Sequence, residues 1–184
     1  MNVNLSKFNN SWYDPGRSFI IRAFWYVLNV LLMKNHLNPS SEIKVFLLKL
    51  FGAKIGKGVV CKPGIDIKYP WNVEIGDYTW IGENAWLDSL DKIRIGNNVC
   101  ISQGAYLCTG NHDYKKETFD LIVSPITIED GVWVGAKAIV CPGVTLKTHS
   151  VLTSGTVVTS DAEPYTIYQG NPSRPIRKRI IDNA

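Results

Sequence analysis

Every sixth residue from position 128 is aliphatic: Ile128, Val134, Val140, Leu146, Leu152 and Val158. Four residues after each stands a small or β-branched one: Val132, Ala138, Val144, Ser150, Thr156 and Ala162. An earlier stretch keeps the same step through Ile75, Ile81 and Leu87, then Ile95, Ile101 and Leu107. There a two-residue slip follows each set of three, so Ile55-Gly56, Ile75-Gly76 and Ile95-Gly96 recur every 20 residues rather than 18. A period of six fits neither the 3.6-residue turn of a helix nor the two-residue alternation of a flat strand. It fits a three-sided solenoid in which each six-residue unit makes one short strand and one corner. The aliphatic residue points inward and the small residue fills the corner. Stacked coils then pair strand to strand at the parallel-sheet spacing of about 4.8 Å. The chain reads as an all-β solenoid, a parallel β-helix over residues 52–163.

The count also locates an insertion. Three six-residue units make a coil, so the coil after Ile95 is due at position 113, yet the pattern resumes at Ile128 (128 − 113 = 15). The extra residues fall in a polar run that begins Cys108-Thr109-Gly110-Asn111-His112-Asp113 and continues to Asp120, which predicts a loop over about residues 108–125. A polar loop thrown out of a rigid scaffold is a usual seat of function.

Residues 1–51 read as a helical segment. Phe19 to Met33 is apolar except for Arg22 and Asn29, which lie seven apart and share one helical face. Fifteen such residues (33 − 19 + 1) are too few to cross a bilayer, which takes about 20. A second helix is expected from Ser41 to Phe51, capped by Ser40 or Ser41 after Pro39 and stopped by Gly52. Two roles stand open for these helices. They could pack over the open first coil and protect its edge, or the apolar run with Phe24, Trp25 and Tyr26 could lie in a membrane interface as a peripheral contact through residues 19–33. Beyond the repeat, Arg174, Arg177, Lys178 and Arg179 give residues 164–184 the character of a solvated basic tail.

The net charge is only +4, and much of it comes from that C-terminal cluster. With no nucleic-acid motif and no broad basic stripe, nucleic acid is not an expected partner. The four cysteines, Cys61, Cys100, Cys108 and Cys141, form no CxxC pair, and no cleavable signal sequence is expected. Free thiols in a cytoplasmic protein are expected, at the inner face of the cytoplasmic membrane if the apolar run binds lipid.

The sequence resembles the hexapeptide-repeat acyltransferases, most of all the O-acetyltransferases of colanic-acid and related exopolysaccharide synthesis, and also maltose and galactoside acetyltransferases. The residues that carry the resemblance run from Phe51-Gly52-Ala53-Lys54-Ile55-Gly56 through Cys108-Thr109-Gly110-Asn111-His112-Asp113 and Val132-Trp133-Val134-Gly135. They end on Gly170-Asn171-Pro172-Ser173-Arg174-Pro175-Ile176-Arg177. The resemblance implies a left-handed β-helix, a homotrimer with each active site between two β-helices, acetyl-CoA as cosubstrate, and a sugar or glycan hydroxyl as acceptor. The period alone does not give the hand.

Acetyl transfer to an alcohol needs a base for the hydroxyl proton, donors for the oxyanion, and an acceptor held in line. Of the three histidines, His36 ends the first helix and His149 sits at a coil corner, so both read as surface residues. His112 lies in the loop and matches the family's catalytic histidine. Asp88, or else Asp113, is expected to orient it. The resemblance places Trp133 along the pantetheine, the backbone of Gly135 and Ala136 at the thioester, and Ser154 and Thr159 toward the pantetheine or adenine end. Arg174 and Arg177 suit the CoA phosphates. Trp86, Asp88, Asn111 and Asp113 are candidates for the acceptor, and Trp80 and Trp86 could stack on a sugar or pack on a neighbouring subunit. No metal is expected: a γ-type carbonic anhydrase on this fold needs three histidines on neighbouring coils, and His36 and His149 fall in the wrong places. An N-acetyltransferase for an amino sugar, a serine acetyltransferase, and a non-catalytic β-helix scaffold are the rival readings.

Overall fold

The six-residue step closes into three-sided coils in the computed structural model, which describes residues 2–182. The first coil is β1 (Lys54–Ile55), β2 (Val60–Cys61) and β3 (Asp66–Ile67). The second is β4 (Val73–Ile75), β5 (Trp80–Ile81) and β6 (Trp86–Asp88), and the third β7 (Ile93–Ile95), β8 (Cys100–Ile101) and β9 (Tyr106–Cys108). A hairpin, β10 (Gly110–His112) and β11 (Leu121–Val123), then leaves the coil. The fourth coil is β12 (Ile126–Ile128), β13 (Trp133–Val134) and β14 (Ile139–Val140), and the fifth β15 (Thr145–Leu146), β16 (Val151–Leu152) and β17 (Val157–Val158).

Strands stack into three parallel sheets, one per side. The first holds β1-β4-β7-β12-β15, the second β2-β5-β8-β13-β16, and the third β3-β6-β9-β14-β17. The register matches like with like: Ile81 with Ile101, Leu87 with Leu107, and Val134 with Ile101 and Leu152. These aliphatic residues are fully buried and form a column down the prism. The insertion leaves the register intact, because Ile126, Thr127 and Ile128 pair directly with Ile93, Arg94 and Ile95.

A side-chain ladder braces the corner between the first two sheets. Asp77 Oδ1 accepts from Lys57 N at 2.9 Å, Asn97 Oδ1 from Asp77 N at 2.8 Å, and Asp130 Oδ1 from Asn97 N at 2.7 Å. The coils approach so closely there that a Cβ on Gly76 would stand 2.6 Å from the Gly96 carbonyl carbon. Each turn of this corner passes through a left-handed residue, and Tyr78, Asn98, His149 and Tyr165 adopt φ between 51° and 56° despite their side chains. His149 is one of these corner residues, its ring stacked on Tyr165 at 4.8 Å.

Both ends of the prism are covered. The first helix, α1, spans Phe19–Leu28 and continues as a π-helical turn, Asn29–Met33, rather than as one regular helix over 19–33. The second, α2, spans Ser41–Leu50, and Ser40 Oγ accepts from Ile43 N as its cap. These helices satisfy backbone groups that the first coil would leave bare: Cys61 N donates to Ser41 Oγ at 2.8 Å, and Trp25 Nε1 donates to the Ile67 carbonyl at 2.8 Å. At the other end, β18 (Thr166–Gln169) pairs with β16 and turns back antiparallel into β19 (Arg174–Lys178). The basic segment expected as a tail is therefore largely a hairpin on the second sheet. Its anchor is Tyr168, which lies in register with Leu152 and is buried like it.

Candidate active site

The insertion folds as a β-hairpin, with Asn111 opposite Ile122 and His112 opposite Leu121. It leaves the edge between the third and first sheets, and Ser124 N donates to the Thr109 carbonyl where its ends meet. His112 is half-buried, and its Nδ1 lies 2.9 Å from the Phe119 carbonyl oxygen. A carbonyl can only accept, so Nδ1 carries the proton in the neutral ring and Nε2 is the free basic nitrogen. The Phe119 ring stacks on the imidazole at 4.4 Å and 8°, and Phe8 from the N-terminal arm meets it at 5.7 Å. Phe119 adopts φ of +51°, a strained position for an aromatic residue. The arm is tied to the same hairpin by the Lys7–Glu117 ion pair and by Asn4 N donating to the Glu117 carbonyl.

Neither aspartate expected to orient His112 touches it. Asp113 Oδ1 accepts from Lys115 N, and its carboxylate faces Lys116, so it shapes the hairpin tip. Asp88 is buried on the third sheet, where it pairs with Lys68 at 3.1 Å and accepts from Tyr106 OH at 3.3 Å. Burial pushes the Tyr106 phenol well above its usual range, with Cys108 and Asp88 adding to the effect, which keeps it a donor. Asp88 stands opposite Cys108, the residue from which the hairpin departs, so it belongs to the same edge of the prism. Asn111 uses its side-chain oxygen on its neighbour's amide, accepting from His112 N. Trp86 stacks on Tyr106 at 4.4 Å on the outer face of the third sheet.

The residues expected to hold CoA gather on the second sheet and its far corner. Trp133 is 48% exposed and donates from Nε1 to Ser102 Oγ. In register with it run Val151, Ile167 and then Arg177, which places Arg177 and Trp133 on one outer face. Arg174 and Arg177 are exposed and make no ion pair among the described residues, so both are free to meet phosphates. Trp80 stands on the same sheet, two strands from Trp133.

At the adjoining corner the structure divides two residues the sequence left together. Gly135 N is already used, donating to the Leu152 carbonyl at 2.8 Å, whereas Ala136 N has no acceptor among the described residues. Ala136 N–H is therefore the amide left to donate at this corner, and the coils approach closely at Gly135: a Cβ on it would lie 2.5 Å from the Leu152 oxygen. Ser154 sits one coil below and is exposed. Thr159 does not join this group. It follows β17 as Cys141 follows β14, and so lies on the His112 edge.

Phe119, Phe8, Lys68, Tyr106 and Ser102 have no place in the reading of the sequence alone. Tyr106 is within reach of it, because it takes the position of Trp86 one coil on, in the same repeat that carries Ile75-Gly76 to Ile95-Gly96. The Phe119 carbonyl is not, because any residue offers one.

Comparison with known proteins agrees with the parallel β-helix. The hexapeptide repeat of succinyl-transferase matches residues 125–160. The chain is 41% identical over 137 residues to WcaF of Escherichia coli K12, named as a colanic acid biosynthesis acetyltransferase, covering 74% of this chain and 75% of that protein. It is 31% identical over 148 residues to the galactoside O-acetyltransferase of the same organism, covering 78% and 73%. A hexapeptide-repeat acetyltransferase of Vibrio cholerae, solved in complex with acetyl coenzyme A, superposes with a TM-score of 0.80 at 26% identity, covering 91% of this chain and 93% of that one.

Proposed function

The chain belongs to the hexapeptide-repeat acetyltransferases, and on that premise we propose that it acetylates a saccharide hydroxyl in exopolysaccharide or related glycan synthesis, with His112 as general base. Its donor is acetyl-CoA. The observation that carries the proposal is the Nδ1 contact to the Phe119 carbonyl, since in the neutral ring it makes Nε2 the basic nitrogen and it fixes the ring's orientation. Nε2 takes the acceptor proton as the acceptor oxygen adds to the thioester carbon; collapse of the tetrahedral adduct then breaks the C–S bond, and the imidazolium returns the proton to the leaving CoA sulfur. Ala136 N–H is free to stabilise the oxyanion, Trp133 flanks the pantetheine, and Arg174 and Arg177 meet the phosphates.

Acceptor-dependent release of CoA thiol, screened over neutral, acidic and amino sugars, tests the acceptor class. Release with hydroxyl acceptors supports it. Release that requires an amine replaces it with N-acetylation.

His112 and Ala136 lie on different edges of the prism, separated by the third sheet. One side runs over the six-residue step from Gly135 to Cys141, roughly 15–20 Å of extended chain. We therefore infer that the site is completed between copies, the His112 edge of one facing the Ala136 corner of the next in a homotrimer. Sedimentation of the full chain is expected to give three times the 20.6 kDa of one copy. A monomer that is fully active overturns this.

We also propose that α1 and α2 rest on the inner face of the cytoplasmic membrane. Ile20, Phe24 and Val27 on α1 and Leu31 on its π-helical turn make an exposed stripe, and Phe46 and Leu50 extend it on α2. Arg17 borders the place where Ile21, Phe24 and Leu50 meet. No helix among the described residues is long and apolar enough to cross a membrane, so the fitting mode is interfacial. Flotation with vesicles containing phosphatidylglycerol is expected, and Phe24→Glu with Leu31→Glu should abolish it. Flotation unchanged by these substitutions, or absent in the wild type, refutes the contact.

A further inference from the structure

The inner face of α1 borders a cavity of about 370 Å³ against the outer face of the third sheet, lined among others by Arg22, Asn29, Lys34, Asp66, Lys68 and Trp86. Its volume is in the range of small-ligand sites. Two of its polar groups are left without partners. Arg22 Nε is buried with no hydrogen bond, and the guanidinium makes no ion pair among the described residues. Asn29 is 5% exposed and donates from Nδ2 to Asp66 at 2.7 Å, but its Oδ1 is buried with no donor. The other charges are matched, Lys34 with Asp66 at 2.7 Å and Lys68 with Asp88 at 3.1 Å. The charge of Arg22 is the one left over.

A ligand that satisfies both orphans needs anionic oxygens for Arg22 and a hydroxyl donor for Asn29. Trp86, held by its stack on Tyr106, offers a flat apolar surface for a ring. These are the features of a sugar bearing a carboxylate or phosphate. A short chain of residues links the cavity lining to the reactive edge: Lys68 pairs with Asp88, Asp88 stands opposite Cys108, and His112 is four residues further on. Four residues span at most about 14 Å, so the cavity and the base lie within reach of one oligosaccharide. We propose that this cavity is a subsite for an acidic sugar unit of an oligosaccharide or glycan acceptor, which holds the acceptor while another of its units is acetylated. The proposal rests on the saccharide reading of the active site.

The test is binding without acetyl donor, so it does not depend on catalysis. Calorimetric titration of the full chain with glucuronic acid, glucose 1-phosphate, glucose and inorganic phosphate is expected to rank both acidic sugars at least about tenfold tighter than glucose and than phosphate. Arg22→Gln, with an unchanged melting temperature, should erase that preference, and Arg22→Lys should keep part of it. In wild-type titrations the Trp86 indole N–H resonance should shift with acidic sugars, which locates binding even if a variant fails to fold. Preference for the carboxylate or for the phosphate identifies which acid the site takes, and either supports it. Equal binding of glucose and acidic sugars, binding of phosphate as tight as of glucose 1-phosphate, or no shift at Trp86 overturns the subsite. If the subsite stands and no saccharide is acetylated, the function fails alone. If saccharides are acetylated and the preference is absent, the subsite fails alone.

Discussion

His112→Ala is expected to lower acceptor-dependent CoA release by about 10²- to 10⁴-fold, the usual cost of a missing general base, while acetyl-CoA still binds with wild-type affinity. The imidazole is held between the Phe119 ring and the Phe119 carbonyl, and the variant removes the one group whose free nitrogen that carbonyl defines. Trp133, Ala136, Arg174 and Arg177 lie on another sheet and its corner, so the donor's contacts do not change. The lost stacking costs about 1 kcal/mol, in a hairpin outside the coil register, so the melting temperature should move little. Steady-state rates with calorimetric binding of acetyl-CoA check both halves. Activity within tenfold of wild type would remove His112 from the mechanism.

Deleting residues 110–124 should abolish transfer completely and leave the β-helix folded. Positions 107 and 128 differ by 21, and removing 15 of these restores the six-residue step of Val140 to Leu146. Cys108-Thr109-Pro125 would then take the place that Cys141-Pro142-Gly143 takes one coil on. The closure is favourable because Ser124 N already donates to the Thr109 carbonyl, so the ends to be joined are neighbours. The coils on either side pair without the hairpin, Ile126 to Ile93 and Ile139 to Tyr106. Circular dichroism and a cooperative melt read the scaffold, and thiol release reads the chemistry. A deletion variant that unfolds would show the hairpin to be structural. One that retains transfer would place the base elsewhere.

The location of the hairpin and the identity of its histidine were open to counting residues, since a solenoid tolerates no change of phase that its sequence does not display. The partner of that histidine was not. Asp88 and Asp113 are the residue types that commonly orient an imidazole, yet one is spent on Lys68 and Tyr106 and the other on its own turn. The same holds at the corner expected to meet CoA. Gly135 and Ala136 are adjacent, but the coil below consumes the amide of the first and leaves that of the second. The basic tail misled for a different reason. Its cations are exposed as expected, but Thr166 and Tyr168 continue the inward stripe and draw the segment onto the sheet.

By itself the sequence determined the three-sided parallel β-helix, its register and the insertion, because these depend on which residue type recurs at which interval, and its motifs carried the resemblance to the family. Burial repeats with the backbone, and a period of six has one economical way to bury its aliphatic residues. Only the tertiary structure decided what holds His112, which amide is free, that the first coil meets Ser41 and Trp25, and that Arg22 Nε and Asn29 Oδ1 are left unpartnered at a cavity beneath α1. Each of these turns on hydrogen-bond direction between groups far apart in the chain. A backbone amide or carbonyl looks the same at every position until its neighbour in space is known.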